Sequence, residues 1–217
     1  PLFWLPKNAD NSSGGQAWVT SKRWGPFEGD LLHTSYGTCS LFKVMHEEVD
    51  GVRQAGVVKF PLRFESGIMR SRFSPLDGQL YTCGMAAWST SQSKKKGGLF
   101  RIRYTGKPAH LPTQLSARQK GVSVTFSEPL DPASITPKAL KIKSWDYIRS
   151  KNYGSKHLNE KSHSVTATSL SPDGKTLTFQ IAELSTCWQM SIKYELQAKD
   201  GSPVRGEIQN TIHTLRP

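Results

Sequence analysis

A chain of 217 residues has room for one large domain or two ordinary ones, and 36% hydrophobic with 10% aromatic content excludes a disordered polypeptide. Twenty-nine Lys and Arg against 17 Asp and Glu leave a formal charge of +12, which favours polyanions such as nucleic acid, anionic polysaccharide or a membrane surface. The charges are scattered apart from Lys94-Lys95-Lys96, and no nucleic-acid motif accompanies them, so specific nucleic-acid binding is not expected. Cys39, Cys83 and Cys187 cannot all pair within one chain, and none stands in Cys-x-x-Cys spacing, which argues against a zinc knuckle or a covalent haem site. No apolar run reaches membrane-spanning length. The 18 Gly and 13 Pro are spread along the chain, as an all-β protein of many short strands and turns requires.

From the N-terminus to about Pro108 the chain carries a degenerate repeat. Phe27-Glu-Gly-Asp-Leu-Leu-His-Thr-Ser-Tyr36 followed by Ser40-Leu-Phe-Lys-Val44 parallels Leu76-Asp-Gly-Gln-Leu-Tyr-Thr-Cys83 followed by Gly98-Leu-Phe-Arg-Ile102. Gly29 and Gly78 stand roughly 50 residues apart, near the period of a β-propeller blade. In each unit a turn glycine launches a strand, and a second strand ends in Leu-Phe-basic-aliphatic. Gln16–Thr20 and Ile68–Phe73 read as inner strands, and Gly56–Leu62 as an outer strand of the first blade. About two blades fit, whereas a closed ring needs at least four. The expectation is therefore part of a larger protein, with residues 1–108 as terminal propeller blades.

Residues 109–217 read as a β-sandwich. Val122, Val124 and Phe126 alternate with Ser123 and Thr125, the period-2 pattern of a strand with one face in a core. Pro129 and Pro132 stop it, Asp131-Pro132 opens a turn, and Leu140 and Ile142 resume the alternation. Ser171-Pro-Asp-Gly174 is a turn between Val165/Leu170 and Leu177/Phe179/Ile181.

Candidate sites follow from residue type and spacing. Arg70 and Arg72 flank Ser71, so on a strand they share one face, where paired guanidiniums can clamp a carboxylate. Lys22-Arg23-Trp24 extends that basic surface. Asn11-Ser-Ser-Gly-Gly15 lacks the Walker lysine and reads as an ordinary turn. His157 and His163, with Glu160, fit no metal-ligand spacing and read as a polar loop. His33 and His46 stand alone, as hydrogen-bonded structural histidines do, and Glu47, Glu48 and Asp50 read as a solvated turn. No nucleophile triad assembles, and no metal site is expected. The stretch from Ser144 to His157 interrupts the strand succession with Trp145, Tyr147, Arg149, Tyr153 and His157. These form either a contact surface for a protein, glycan or cell-surface partner or a packing patch between domains, and area burial by the aromatics favours packing.

Two resemblances cover nearly the whole chain. "VSVTFSEPLDPASITP", "SPDGKTLTFQI" and "YELQAKDGSPV" resemble the bacterial Ig-like module found at the ends of secreted proteins. "WGPFEGDLLHTSYGTCSLFKV", "FESGIMRSRFSPLDGQLYTCG" and "GLFRIRYTGKP" resemble the last blades of glucose/sorbosone-dehydrogenase-like propellers, in particular those of large secreted planctomycete-type proteins linked to cytochrome c segments. The resemblance implies a secreted or periplasmic protein and, as partners, the rest of the propeller and a cytochrome c segment. It also implies a parent that is a sugar or alcohol oxidoreductase holding pyrroloquinoline quinone and calcium, with Arg70, Arg72 and Arg23 as the cofactor-facing groups. The family places a lysine near the position of Tyr36-Gly37, and this chain has none there. The reading favoured for this chain is a non-catalytic C-terminal portion without a cofactor of its own, in which the Ig-like module serves packing or partner binding.

Overall fold

The computed structural model describes residues 1–86, 92–151 and 154–217. The protein is all-β, with 51% of residues in strands and 6% in helix, and its antiparallel sheets are open. The chain divides into two compact units. The smaller gathers Pro6–Val44 and Lys59–Lys107, the larger Pro1–Leu5, Met45–Val58 and Pro108–Pro217.

In the smaller unit, β1 (Ser13–Trp18) and β2 (Leu31–Ser35) pair antiparallel, and β2 pairs with the start of β3 (Ser40–Val49). The end of β3 and most of β4 (Val52–Lys59) belong to the larger unit. A second sheet of the smaller unit follows, in the order β5 (Arg70–Phe73), β6 (Leu80–Met85) and β7 (Gly97–Ile102). The repeat seen in sequence is a repeat of hairpins, β2–β3 and β6–β7. Gly29 (φ 81°) and Gly78 (φ 66°) both take the left-handed conformation that glycine adopts without steric cost just before each first strand. The two copies differ in surroundings. Lys43 of the first Leu-Phe-basic-aliphatic run is 1% exposed, whereas Arg101 of the second lies in solvent. Phe27 meets Phe60 edge to face at 5.2 Å, and Trp24 meets Phe73 likewise at 5.1 Å, so aromatic contacts supply much of this unit's core.

The larger unit is sandwich-like. Its strands are β8 (Pro112–Arg118), β9 (Gly121–Phe126), β10 (Leu140–Asp146), β11 (Leu158–His163), β12 (Val165–Leu170), β13 (Thr176–Ile181), β14 (Cys187–Gln197) and β15 (Pro203–Ile212). One sheet runs β4-β15-β14-β10-β11 and the other β12-β13-β9-β8. Val122, Val124 and Phe126 of β9 are buried as their alternation requires, beside Leu177, Phe179 and Ile181 of β13. Phe126 meets Tyr194 of the other sheet edge to face at 5.6 Å, which places the core between the sheets. Each fully buried side chain of this kind contributes roughly 1.5–3 kcal/mol relative to exposure. The β12–β13 turn uses Gly174 at φ 73°, with its N–H donating to the Ser171 carbonyl at 2.8 Å. Pro132–Ser134 forms a short 3-10 turn capped by the Asp131 carboxylate, which accepts from the Ala133 N–H.

One strand lies elsewhere than the sequence pattern suggests. Gly56 to Lys59, expected in an outer blade strand, belongs to β4, which pairs with β15 through Gly56–Asn210, Val57–Gln209 and Val58–Ile208. The reason is burial on both faces. Gln54 to Val58 form an uninterrupted buried run, as in a strand covered on both faces, and the sheet order places it in the interior between β3 and β15. Asp50-Gly51, both at positive φ (50° and 77°), close the β3–β4 hairpin with the two-residue loop that Asp-Gly favours.

Candidate functional site

The aromatic stretch beginning at Ser144 builds a ring cluster in the larger unit. On β10, Leu140, Ile142 and Ser144 point into the sandwich, so by strand parity Lys141, Lys143 and Trp145 point outward. Trp145 is nevertheless only 6% exposed. His157 stacks on its indole with centroids 4.4 Å apart and planes 17° apart, and Tyr147 meets it edge-on at 6.4 Å. Tyr147 in turn lies 6.2 Å from Trp4, and Trp4 stacks on Trp188 at 5.0 Å and 20°. Burial pushes the Tyr147 phenol above its ordinary pKa, with the Trp145 side chain working against that shift. The row therefore runs Trp188, Trp4, Tyr147, then the Trp145–His157 pair.

Asp146 organises the backbone beneath these rings, a role that nothing in its sequence context signals. One carboxylate oxygen accepts from the Trp188 N–H at 3.0 Å, and the other accepts from the Asn159 side-chain amide at 3.3 Å. The Trp4 N–H donates to Thr211 Oγ1 at 2.8 Å, whose hydroxyl donates to the Trp188 carbonyl at 2.8 Å. Two backbone contacts thus fix the Trp4–Trp188 stack. Arg149 is exposed at the rim, beside Ile148 at 57% exposure. Tyr153 lies outside the described residues.

His157 and His163 are held separately. His157 Nδ1 lies 2.9 Å from Glu160, which also takes Lys143 Nζ at 2.9 Å, and His163 Nε2 lies 2.7 Å from the Ser144 hydroxyl. Burial and the nearby Lys161 lower the His163 pKa, which favours the neutral ring. Among the described residues, no group of three or more His, Cys, Asp or Glu is placed to hold a metal ion, and no helix is long and apolar enough to cross a membrane.

The three arginines of the smaller unit do not converge on an enclosed site. Arg70 and Arg72 lie exposed on one face of β5 with Ser71 buried on the other, and each guanidinium bonds the carbonyl of its preceding residue, Met69 at 3.0 Å and Ser71 at 2.7 Å. Their cross-strand neighbours are Cys83 and Tyr81, then Leu99 and Arg101 on β7. Arg23 donates to the Asp77 carbonyl at 3.1 Å, while the Asp77 carboxylate accepts from the Tyr81 hydroxyl at 2.8 Å. As a cradle for pyrroloquinoline quinone and calcium this face fits poorly. It is open, carries Leu99 at 74% exposure, and offers the Asp77 carboxylate where calcium takes six to eight oxygens.

Asp10, Lys43 and Glu47, three charged groups with little exposure, are each bound to structural partners. Asp10 accepts from His33 Nε2 at 2.7 Å, from the Ser35 and Ser13 hydroxyls at 2.5 and 3.0 Å, and from the Ser12 N–H at 3.1 Å. The Gln16 amide lies 3.2 Å from His33 Nδ1, so the imidazole is held on both sides. Lys43 meets Asp30 at 2.5 Å, and burial lowers its pKa while Asp30 works to raise it. Glu47, expected in a solvated turn, instead accepts from the Ala117 N–H at 2.9 Å and from the Gln54 amide at 2.8 Å. Gln54 faces it across the β3–β4 hairpin, but Ala117 lies 70 residues on, beyond the reach of any local pattern.

No family model matches this chain, and neither a curated protein nor a solved structure matches it.

Proposed function

We propose that this chain is the non-catalytic C-terminal portion of a secreted, sugar-dehydrogenase-like propeller protein. In this reading the smaller unit corresponds to terminal blades and the larger to a bacterial Ig-like sandwich. The sandwich receives the incoming N-terminal segment through its aromatic cluster and so serves packing between parts of the parent. One observation carries the reading. Among the described residues, the outward-facing rings of the unusual segment are spent on Trp4, which itself stacks on Trp188, and on one another, with Trp145 buried beneath His157 on the solvent side of its own sheet. A surface built mainly to take a ligand would leave such a ring bare.

The test compares Trp4→Ala and Tyr147→Ala with the parent chain by urea unfolding and near-ultraviolet circular dichroism, alongside a glycan array. Packing predicts that each substitution destabilises the protein by about 2–4 kcal/mol, toward the lower end for half-buried rings, and weakens the aromatic dichroism. Unchanged stability, together with array binding that Tyr147→Ala abolishes, would replace packing by glycan contact as the role of the cluster.

A further inference from the structure

A second surface of the larger unit, remote in sequence from the aromatic cluster, is built differently. The face of the β12-β13-β9-β8 sheet opposite the core is a field of hydroxyls in register. Ser116, Ser123, Thr178 and Ser169 form one cross-strand row, and Gln114, Thr125 and Thr176 the next. Neighbouring side chains in such a grid stand ~4.8 Å apart across strands and ~6.8 Å apart along them, the scale of a sugar ring. Ser123 Oγ and Thr178 Oγ1 are 2.8 Å apart, and Thr125 Oγ1 and Thr176 Oγ1 3.0 Å apart. Each pair uses one of its two O–H donors internally and keeps the other, with unused lone pairs, for a ligand. Ser116 Oγ is shielded and has no hydrogen-bond partner. Apart from Ser169, which continues its row beyond them, the residues of these two rows floor an open groove of about 470 Å³, walled by His46, Glu47, Arg118 and Arg216.

The charge of the wall selects among sugars. Glu47 spends one carboxylate oxygen on the Ala117 N–H and the Gln54 amide, and its other lies 3.7 Å from the Arg216 guanidinium. Arg118 adds a second guanidinium at the exposed end of β8. A floor of paired hydroxyls exchanges hydrogen bonds with sugar hydroxyls, and a guanidinium at its rim matches a carboxylate in bidentate geometry. We infer that this groove binds an acidic oligosaccharide, a chain of uronate sugars with a carboxylate set against Arg118 and ring hydroxyls set on the Ser123–Thr178 and Thr125–Thr176 pairs. The inference concerns the larger unit alone and does not depend on the proposed parent or on the role of the aromatic cluster.

Isothermal titration of the whole chain with a short oligogalacturonate, and with a neutral cello-oligosaccharide of equal length, tests it. Arg118→Gln removes the charge, and Thr178→Val removes a hydroxyl at constant shape. Both positions are on the surface side of the sheet, and thermal unfolding of each variant checks that the fold is kept. The expected result is binding of the uronate over the neutral chain, weakened at least about tenfold by either substitution and unchanged by Tyr147→Ala. Absence of uronate binding, equal binding of the neutral chain, or affinity indifferent to both substitutions would each overturn the inference.

Discussion

Asp10 shows how a residue that looks unremarkable in sequence becomes a structural centre. Burial works to raise its pKa, yet hydrogen bonds from His33, Ser35 and Ser12 together with the His33 charge hold it below the ordinary carboxylate value. A carboxyl group whose folded pKa is depressed contributes stability that is fully present above its unfolded value, about pH 4. That contribution fades as pH falls through the folded value. Asp10→Asn is therefore expected to cost about 3 kcal/mol at neutral pH, with the gap from the parent protein closing below about pH 4. Urea titrations across that range measure both, and a gap that stays constant into acid would mean that ionisation of Asp10 has no part in it. His33 was legible as a hydrogen-bonded histidine. Its partner was not, because Asp10 and His33 meet only when the N-terminal segment lies along β2.

Strand patterns were the most legible level. Alternation marked β9 and β13 and the side of each that faces the core, since period 2 is a property of the backbone itself. Partners were less legible. The Gly-Val-Val-Lys of β4 is apolar enough for any sheet, and its place beside β15 depends on residues about 150 positions away. Close approach also exposes individual positions. A Cβ at Gly121 would lie 2.0 Å from the Phe179 carbonyl oxygen, on the partner strand. Neither backbone can yield without breaking the β9–β13 ladder. Gly121→Ala should destabilise the protein by about 1–3 kcal/mol or more, seen as a lower urea midpoint, and an unchanged midpoint would contradict the register assigned here. The Arg70 and Arg72 pair was read correctly as sharing one strand face, while its openness to solvent depended on what the rest of the chain leaves uncovered.

At the scale of the molecule, the +12 charge acts through a field rather than a site. The chain is expected to be retained on a sulfated resin at low salt and released as the Debye length shrinks from ~10 Å at 0.1 M to ~3 Å at 1 M. Thr178→Val should leave that elution unchanged, because long-range attraction is indifferent to one hydroxyl. Passage through the column at low salt would show that the charge is locally neutralised instead. The division into two units was likewise only partly visible. A change of pattern near Pro108 marks one border, but Pro1–Leu5 and Met45–Val58 join the larger unit although they lie far from it in sequence.

Composition and period 2 alone determined that this protein is all-β, which strands have a core face, and where glycine and proline end them, because these follow from local sterics and from the alternation of side chains along a strand. Tertiary structure decided which strands became neighbours, that Trp145 is covered rather than displayed, that Glu47 caps a distant backbone amide, and that hydroxyls from β8, β9, β12 and β13 share one grid. All but the Trp145–His157 stack join residues distant in sequence. Their pairing is selected by the burial and hydrogen bonding of the whole fold, and no window of sequence contains it.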